Sequence, residues 1–286
     1  MTLHTLLDAA GFDAISVGPA AGGVIADAGI ARLGDGRRVF AKTVTGDLPG
    51  LFAVEAEGLA ALRDEGGQAV PDVHHVSPTL LVLAAHQPAP DEPAFWAALG
   101  HRIAALHTRT VADRFGWHRD GWLGRLRQDN TWDTDGHRFF AERRVLRWLT
   151  EPAADAAFDA ADRHAIEALC AALPELVPAQ PPSLTHGDLW RGNVVATAEG
   201  EPVLIDPAVS STWPEVDLGM FWCSPRPPAA DAFFAAYAES APLLDGWRER
   251  MPLMYLRELM SVVAHDADTW GAARMVRELA APFRRR

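Results

Sequence analysis

Four polar side chains are grouped in one short segment that leads into a strand-like run. The segment LTHGDLWRGNVV places His186 two residues before Asp188, and Asp188 five residues before Asn193. This order matches the spacing H-x-D-x-x-x-x-N of phosphotransfer catalytic loops, in which the aspartate accepts the proton of the attacking hydroxyl. We therefore assign Asp188 as the candidate catalytic base and His186 as a side chain that braces the loop. H-G-D also occurs in ordinary polar turns, so the assignment depends on the neighbouring elements.

A second carboxylate follows the loop at a position that suits metal binding. The β-prone runs VVAT and PVLID flank the turn AEGE, which predicts a short antiparallel hairpin. Asn193 precedes the first run and Asp206 follows the second, so both lie at the open end, where strands are about 5 Å apart. Amide and carboxylate oxygens are ligands that Mg²⁺ accepts alongside waters and phosphate oxygens. The sequence therefore predicts a Mg²⁺ site at Asn193 and Asp206.

The N-terminal part of the chain supplies candidates for holding ATP. RVFAKTV places Lys42 in a strand, as in the V-A-I-K pattern whose lysine contacts the α- and β-phosphates. Glu55, on the helix that follows, is the expected partner of Lys42, and Glu57 is the second choice. Gly22 and Gly23 would let backbone N–H groups approach the phosphates, although the full G-x-G-x-x-G is missing. The alternative is that the side chains of Lys42 and Glu55 both face solvent and have no role in binding.

The elements around these residues predict an α+β protein with two lobes. GIARL and RVFAKTV flank the turn GDGR as a hairpin, and one helix and one more apolar strand follow. The Pro-rich connector QPAPDEP marks the boundary, after which helical patterns dominate. We place a β-rich, nucleotide-covering N-lobe at residues 1–86. A mainly helical C-lobe at residues 87–286 carries the catalytic loop, the metal ligands and the substrate site.

Composition narrows the class of partner. The 286 residues are 49% apolar and 22% charged, with a net charge of −12, which disfavours binding to nucleic acid or anionic membranes. The two cysteines show no metal-type spacing, and we find neither a signal peptide nor an apolar run of membrane-spanning length. We expect a cytoplasmic protein. The sequence leaves the oligomeric state open, with a monomer favoured.

HGDLWRGN followed by IDPA resembles the fructosamine kinase (ketosamine-3-kinase) family, a relative of aminoglycoside and choline kinases. The resemblance implies a protein-kinase-like, two-lobed fold. Further stretches that resemble the family's signatures, in order, are DGRRVFAK, LFAVEAEGLAAL, LGHRIAALH, FGWHRDGWLG, RQDNTW, FFAERRV and PLLDGWRER. The resemblance implies ATP- and Mg²⁺-dependent phosphorylation of the sugar 3-hydroxyl of ketosamines such as fructosamine or ribulosamine adducts. The unstable product sheds its sugar, so the activity would be deglycation of a free or protein-linked amine.

The resemblance also bears on residues whose roles the pattern alone leaves open. It implies that Asp217, in EVDLGM, holds the catalytic loop in place. Trp190 could line the sugar pocket or pack against the C-lobe, and Arg191 could contact a phosphate or an acidic substrate group, or face solvent. The segment Ser210 to Pro214 departs from the family pattern, which leaves the exact substrate open.

Two other functions remain open at this point. One is a phosphotransferase for another alcohol, of the aminoglycoside or choline type, which would share every catalytic residue and differ in the pocket. The other is a non-catalytic, nucleotide-binding pseudokinase, which the intact set of polar residues disfavours.

Overall fold

The computed structural model describes residues 2–19 and 27–284. Its helices are α1 Leu3–Ala9, α2 Leu51–Asp64, α3 Pro93–Arg109, α4 Gly136–Phe139, α5 Pro152–Ala157, α6 Ala160–Ala171, α7 Leu173–Leu176, α8 Pro214–Cys223, α9 Ala230–Ser240, α10 Trp247–Ala264 and α11 Ala272–Ala280. Its strands are β1 Ala14–Pro19, β2 Asp27–Leu33, β3 Arg38–Thr43, β4 Val73–Val76, β5 Leu80–Ala84, β6 Gln87–Pro88, β7 Gly121–Leu123, β8 Leu126–Gln128, β9 Ser183–Thr185, β10 Val194–Ala196, β11 Pro202–Leu204 and β12 Ser210–Thr212. Gly22 and Gly23 lie outside the described residues, so their contact with phosphates stays a prediction.

The N-terminal part is built on an antiparallel sheet with the strand order β1-β2-β3-β5-β4. β2 and β3 form the predicted hairpin around GDGR. Alternate side chains of β5 point to opposite faces, as the pleat requires. Leu80 and Val82 pack with Leu7 of α1, whereas Leu81 and Leu83 pack with α2. The sheet is therefore covered by one helix on each face, and α2 lies against the face that carries Lys42.

The C-terminal part is mainly helical and contains the largest core. Apolar side chains at helical spacing along α3 are buried in this core, at Phe95, Leu99, Ile103 and Leu106. α9 packs along α3, and α10 packs against α8. The last part of this region, from Ala230 to Ala280, contains three α-helices, α9 to α11. Within residues 2–19 and 27–284, no helix has both the length and the apolarity to span a bilayer. The protein thus has the predicted α+β, two-lobed architecture.

The connector between the two parts is more ordered than the sequence suggests. We predicted QPAPDEP as a Pro-rich connector at the boundary, and its first two residues, Gln87–Pro88, form β6 and pair with β10, giving a small sheet with the order β11-β10-β6. An unpaired strand edge accepts any extended segment beside it, and a residue before proline favours extended backbone. The connector is consequently attached to the hairpin that carries the candidate metal ligands. The boundary between residues 86 and 87 remains our prediction.

Candidate active site

A buried lysine joins three elements at the interface between the sheet and the C-terminal part. Lys42 of β3 is 8% exposed, and its Nζ lies 2.7 Å from Glu55 Oε1 and 2.7 Å from Asp206 Oδ1. Burial alone would lower the pKa of Lys42, but the two carboxylates outweigh it and hold that pKa above its usual value. Burial raises the pKa of Glu55 to about 7, although the charge of Lys42 acts in the opposite direction. The pair foreseen from the sequence is therefore a three-membered cluster.

The orientation of α2 is set by its second glutamate. Glu57 accepts hydrogen bonds from Trp117 Nε1 at 3.1 Å and from Arg119 Nη1 at 3.1 Å. These partners belong to the loop after α3, so they tie α2 to the C-terminal part. Glu57 is accordingly not the partner of Lys42. Its contacts leave Glu55, two residues earlier, on the side of the helix that reaches the lysine.

The hairpin of β10 and β11 brings the two candidate metal ligands to one end. Val194 pairs with Leu204, and Ile205 N donates a hydrogen bond to Asn193 O at 3.1 Å. Asp206 follows with φ 53°, in the left-handed region that aspartate and asparagine tolerate better than most residues. Asn193 and Asp206 therefore lie at the same end of the hairpin, and the carboxylate of Asp206 contacts Lys42 there.

Asn193 also fixes the candidate base. Its Nδ2 donates to Asp188 Oδ2 at 2.8 Å and to Asp188 O at 2.9 Å. With Nδ2 used in this way, the amide oxygen of Asn193 is the atom left to bind a cation. Burial raises the pKa of Asp188, and the neighbouring carboxylate of Glu258 raises it further. Asp188 is thus a carboxylate of raised basicity, and its hydrogen bonds to Asn193 fix its position relative to the end of the hairpin.

The donor set at the hairpin end fits a hard cation bound with few protein ligands. Asn193 and Asp206 supply oxygen atoms, and the charge of Lys42 outweighs burial to keep the pKa of Asp206 below its usual value. In the part of the chain that the structure describes, no three His, Cys, Asp or Glu side chains are grouped as a metal cage would require. Mg²⁺ in phosphotransfer sites is held in this sparse manner, by one or two side chains plus waters and substrate phosphates.

Asp217 and His186 fix the candidate catalytic loop through hydrogen bonds. Asp217 is fully buried on α8, and its two carboxylate oxygens accept hydrogen bonds from His186 N and Gly187 N, each at 2.8 Å. His107 Nε2 lies 3.2 Å from Asp217 Oδ2. His186 Nδ1 accepts from Asp188 N at 3.2 Å, so Nε2 is the nitrogen that donates to Ile205 O at 2.9 Å. Burial lowers the pKa of His186, which agrees with a neutral, bracing imidazole.

Replacing Asp217 by asparagine is expected to destabilise the fold. The asparagine amide is neutral and offers only one acceptor oxygen, so both backbone N–H groups lose a charged partner and one of them loses its acceptor inside the protein. Hydrogen bonds to charged groups contribute about 1.5–3 kcal/mol each, and the free energy of unfolding should fall by at least that amount. Urea denaturation measures the change, with the exposed Asp231→Asn of α9 as the matched control. Equal stability of the two variants would show that Asp217 does not hold the loop.

The two residues inside the motif that the sequence left open have different surroundings. Trp190 is half-buried, packs against the C-terminal core, and has its ring against Gly192, where an added Cβ would lie 2.4 Å from ring atoms. Arg191 Nη2 lies 3.1 Å from Asp91 Oδ1 of the connector, in an exposed ion pair. The packing alternative for Trp190 is therefore present, and Arg191 has a structural partner. Their roles as substrate contacts stay predictions.

The atypical segment Ser210 to Pro214 lies in the interior. Its first three residues form β12 and pair with β9, and Ser210 Oγ accepts a hydrogen bond from the buried Arg144 Nη2 at 3.0 Å. Trp213 is 1% exposed and packs against Phe115 and Phe140. The segment is thus part of the core packing around the loop that follows Asp206.

Sequence reasoning missed the side chains that α10 places near the base. Glu258 and Arg257 are the two charged residues outside the loop and hairpin with the largest effects on the pKa of Asp188, in opposite directions after the dominant effect of burial. Both interrupt the otherwise apolar run PLMYLRELMSVV. A charged pair inside such a run is the signal that could have indicated them, because charges in a buried helix need a local reason.

Comparisons with known proteins show the family of the chain. The sequence profile of the family described as fructosamine kinase matches residues 4–277. The chain is 30% identical over 230 residues to a chloroplastic protein-ribulosamine 3-kinase of Oryza sativa subsp. indica, and the aligned part covers 78% of this chain and 66% of that relative. The chain therefore spans slightly less than two thirds of the length of this curated relative.

Solved structures extend the comparison to the fold. A Thermobifida fusca protein, provisionally described as a fructosamine-3-kinase, superposes with a TM-score of 0.85 at 31% identity, covering 98% of each chain. An aminoglycoside phosphotransferase solved in a ternary complex with ADP and hygromycin B superposes with a TM-score of 0.64 at 17% identity, which shows a shared protein-kinase-like fold alone. The family match over nearly the whole chain, together with the loop, hairpin and lysine cluster, shows that this protein belongs to the fructosamine kinase family.

Proposed function

We propose that the protein is an ATP-dependent kinase that phosphorylates the 3-hydroxyl of ketosamines, such as fructosamine or ribulosamine adducts of amines, and so serves deglycation. One observation carries the proposal. Lys42 contacts Asp206 at 2.7 Å, the residue before Asp206 donates a backbone hydrogen bond to Asn193 O at 3.1 Å, and Asn193 contacts Asp188 at 2.8 Å. This continuous series joins a phosphate-binding lysine, two oxygen ligands and a base, in a member of a family of sugar kinases.

The nucleotide end of this series has a clear division of labour. Lys42 would contact the α- and β-phosphates, and Glu55 keeps its ammonium group charged and oriented. Asn193 and Asp206 would hold Mg²⁺, which when bound neutralises charge on the phosphate oxygens. Gly22 and Gly23 would cover the phosphates with backbone N–H groups.

At the other end of the series, Asp188 would act on the acceptor hydroxyl. Asn193 and the backbone contacts to Asp217 fix the loop, so the carboxylate of Asp188 can align the acceptor hydroxyl and take its proton as the bond to phosphorus forms. Burial raises the pKa of Asp188, which makes it a stronger base toward an alcohol. Trp190 would form one wall of the sugar pocket, and Arg191 would be a second, more exposed contact with the substrate.

The experiment that tests this function is turnover against a panel of acceptors. The protein is incubated with ATP and Mg²⁺ and with fructosyl-lysine, ribulosyl-lysine, an aminoglycoside or choline, and ADP release is measured. We expect turnover on the ketosamines and none above background on the other two. Turnover confined to the aminoglycoside or choline would replace the proposed substrate class, and nucleotide binding without turnover on any acceptor would favour a pseudokinase.

A further inference from the structure

A cavity of about 250 Å³ lies in the C-terminal part, between the end of α3, the start of α8 and the end of α9. None of the described candidate residues for catalysis, metal binding or nucleotide binding lines it. Val111, in its wall, is 57% exposed, so the cavity opens to solvent there. A cavity of about 150 Å³ can hold a benzene molecule, so this one suits a molecule somewhat larger than a single aromatic ring.

The wall of the cavity combines apolar side chains with two unpartnered polar atoms. Leu218 and Leu243 are among the apolar residues. Gln180 Nε2 and Ser183 Oγ are buried and have no hydrogen-bond partner among the described residues, and Ser183 is 1% exposed. Such atoms cost free energy, because they have left water without gaining a replacement hydrogen bond. Both can donate, so the wall lacks an acceptor oxygen.

The other polar side chains of the wall already have partners, and these partners limit the charge of a bound molecule. Tyr237 Oη lies 3.0 Å from His107 Nδ1, and His107 Nε2 lies 3.2 Å from Asp217 Oδ2. An ionised carboxylate only accepts, so His107 donates to Asp217, and Tyr237 donates to His107. Glu215 forms a buried ion pair with Arg250 at 2.6 Å. The carboxylates of Asp217 and Glu215 disfavour an anion in the cavity, and the two free donors disfavour a cation.

The wall of the cavity is also joined to the backbone of the catalytic loop. Asp217, the partner of His107, accepts hydrogen bonds from His186 N and Gly187 N at 2.8 Å each. Ser183 is the first residue of β9, and the loop begins directly after that strand. A molecule in the cavity would therefore contact two of the structures that hold the loop in place.

We propose that this cavity binds a small uncharged molecule that has an apolar body and a carbonyl or hydroxyl oxygen. The oxygen accepts hydrogen bonds from Gln180 Nε2 and Ser183 Oγ, and the apolar body packs against Leu218 and Leu243. Occupation of the cavity changes the surroundings of the catalytic loop through the side chain that supports Asp217. The inference does not depend on which alcohol the protein phosphorylates, because the cavity shares no residue with the proposed reaction site.

The test uses acetophenone, an uncharged aromatic ketone, and benzoate, an anion of nearly the same shape and size. Each is titrated into the whole protein, and the backbone amide signals are followed by ¹H–¹⁵N NMR. Acetophenone should shift the signals of Ser183 and Leu243, and also those of His186 and Gly187, with one common Kd. That Kd should be on the order of 1 mM, as expected for so small a molecule. Benzoate should bind more weakly by at least about 10-fold, because its charge is not neutralised in the cavity.

Two variants test the position of the bound molecule. Ser183→Ala removes one donor and should raise the Kd of acetophenone by about 2- to 10-fold, the range for one uncharged hydrogen bond. Val111→Trp places a large side chain at the open edge of the cavity and should abolish the saturable shifts. Because Val111 is exposed, the fold should tolerate this change. Val76→Trp, at an exposed position of β4, is the matched control and should leave the Kd unchanged.

Each part of the inference can fail separately. Absence of saturable shifts at Ser183 and Leu243 with acetophenone would overturn the site, and an equal Kd for benzoate would overturn the class of ligand. A Kd that neither Ser183→Ala nor Val111→Trp changes would place the molecule outside the cavity. Shifts that leave the signals of His186 and Gly187 unchanged would contradict the connection to the loop. These titrations measure binding without turnover, so failure of the proposed function would leave their outcome unaffected.

Discussion

Replacing Asp188 by asparagine is expected to lower kcat for ketosamine phosphorylation by about 10²–10⁴-fold, the range for the loss of a general base. Asparagine has the same size as aspartate but cannot accept the hydroxyl proton. The nucleotide end of the site, built by Lys42, Glu55 and Asp206, should be unaffected. The variant is therefore expected to bind ATP with nearly the affinity of the unchanged protein. ADP release measures kcat, and titration calorimetry measures the affinity for ATP.

Asp231→Asn, an exposed substitution of the same kind on α9, is the control for the loss of one negative charge and should leave kcat unchanged. A variant Asp188→Asn with unchanged kcat would remove Asp188 from the role of base. Loss of ATP affinity together with kcat would instead indicate that the substitution disturbs the loop and the hairpin as a whole.

Replacing Asp206 by asparagine is expected to lower kcat/KM by about 10²–10³-fold, since a metal ion supplies several kcal/mol of charge stabilisation to phosphoryl transfer. The substitution removes the proposed anionic metal ligand and one of the two carboxylates at Lys42. Asparagine tolerates the left-handed backbone at φ 53°, so the change acts through charge and leaves the turn intact. The measurement is kcat/KM at a series of Mg²⁺ concentrations.

The activities of the two variants should respond differently to Mg²⁺. High Mg²⁺ concentration should restore part of the activity of Asp206→Asn, because mass action offsets a weakened site. It should restore none of the activity of Asp188→Asn, whose defect is in proton transfer. An Asp206→Asn variant with the Mg²⁺ requirement of the unchanged protein would show that Asp206 is not a metal ligand.

The parts of the site that depend on local pattern were predictable from the sequence. The spacing of His186, Asp188 and Asn193 is a property of one loop, and the hairpin that follows is set by two β-prone runs and a turn. Lys42 and Glu55 come from adjacent elements, so their order along the chain indicated the pair. In each case the relevant groups are close in sequence or belong to a recurring motif.

The contacts that were missed join distant segments. Lys42 and Asp206 are 164 residues apart, and their contact depends on how the sheet docks on the C-terminal part. The effect of Glu258 on the pKa of Asp188 likewise joins α10 to a loop far away in the sequence, which no local spacing encodes. The pairing of Gln87–Pro88 with β10 likewise depends on which strand edge lies nearby once the chain has folded. Long-range packing decides these features, and a single sequence does not specify it through periodicity.

The position of the transferred phosphate tests the account most directly. Fructosyl-lysine is incubated with the protein, ATP and Mg²⁺, and the product is analysed by ³¹P and ¹³C NMR before the sugar is released. The account predicts one new phosphate ester coupled to carbon 3 of the sugar, formed in proportion to ADP. A phosphate on any other carbon, or ADP formation without a sugar phosphate, would contradict it.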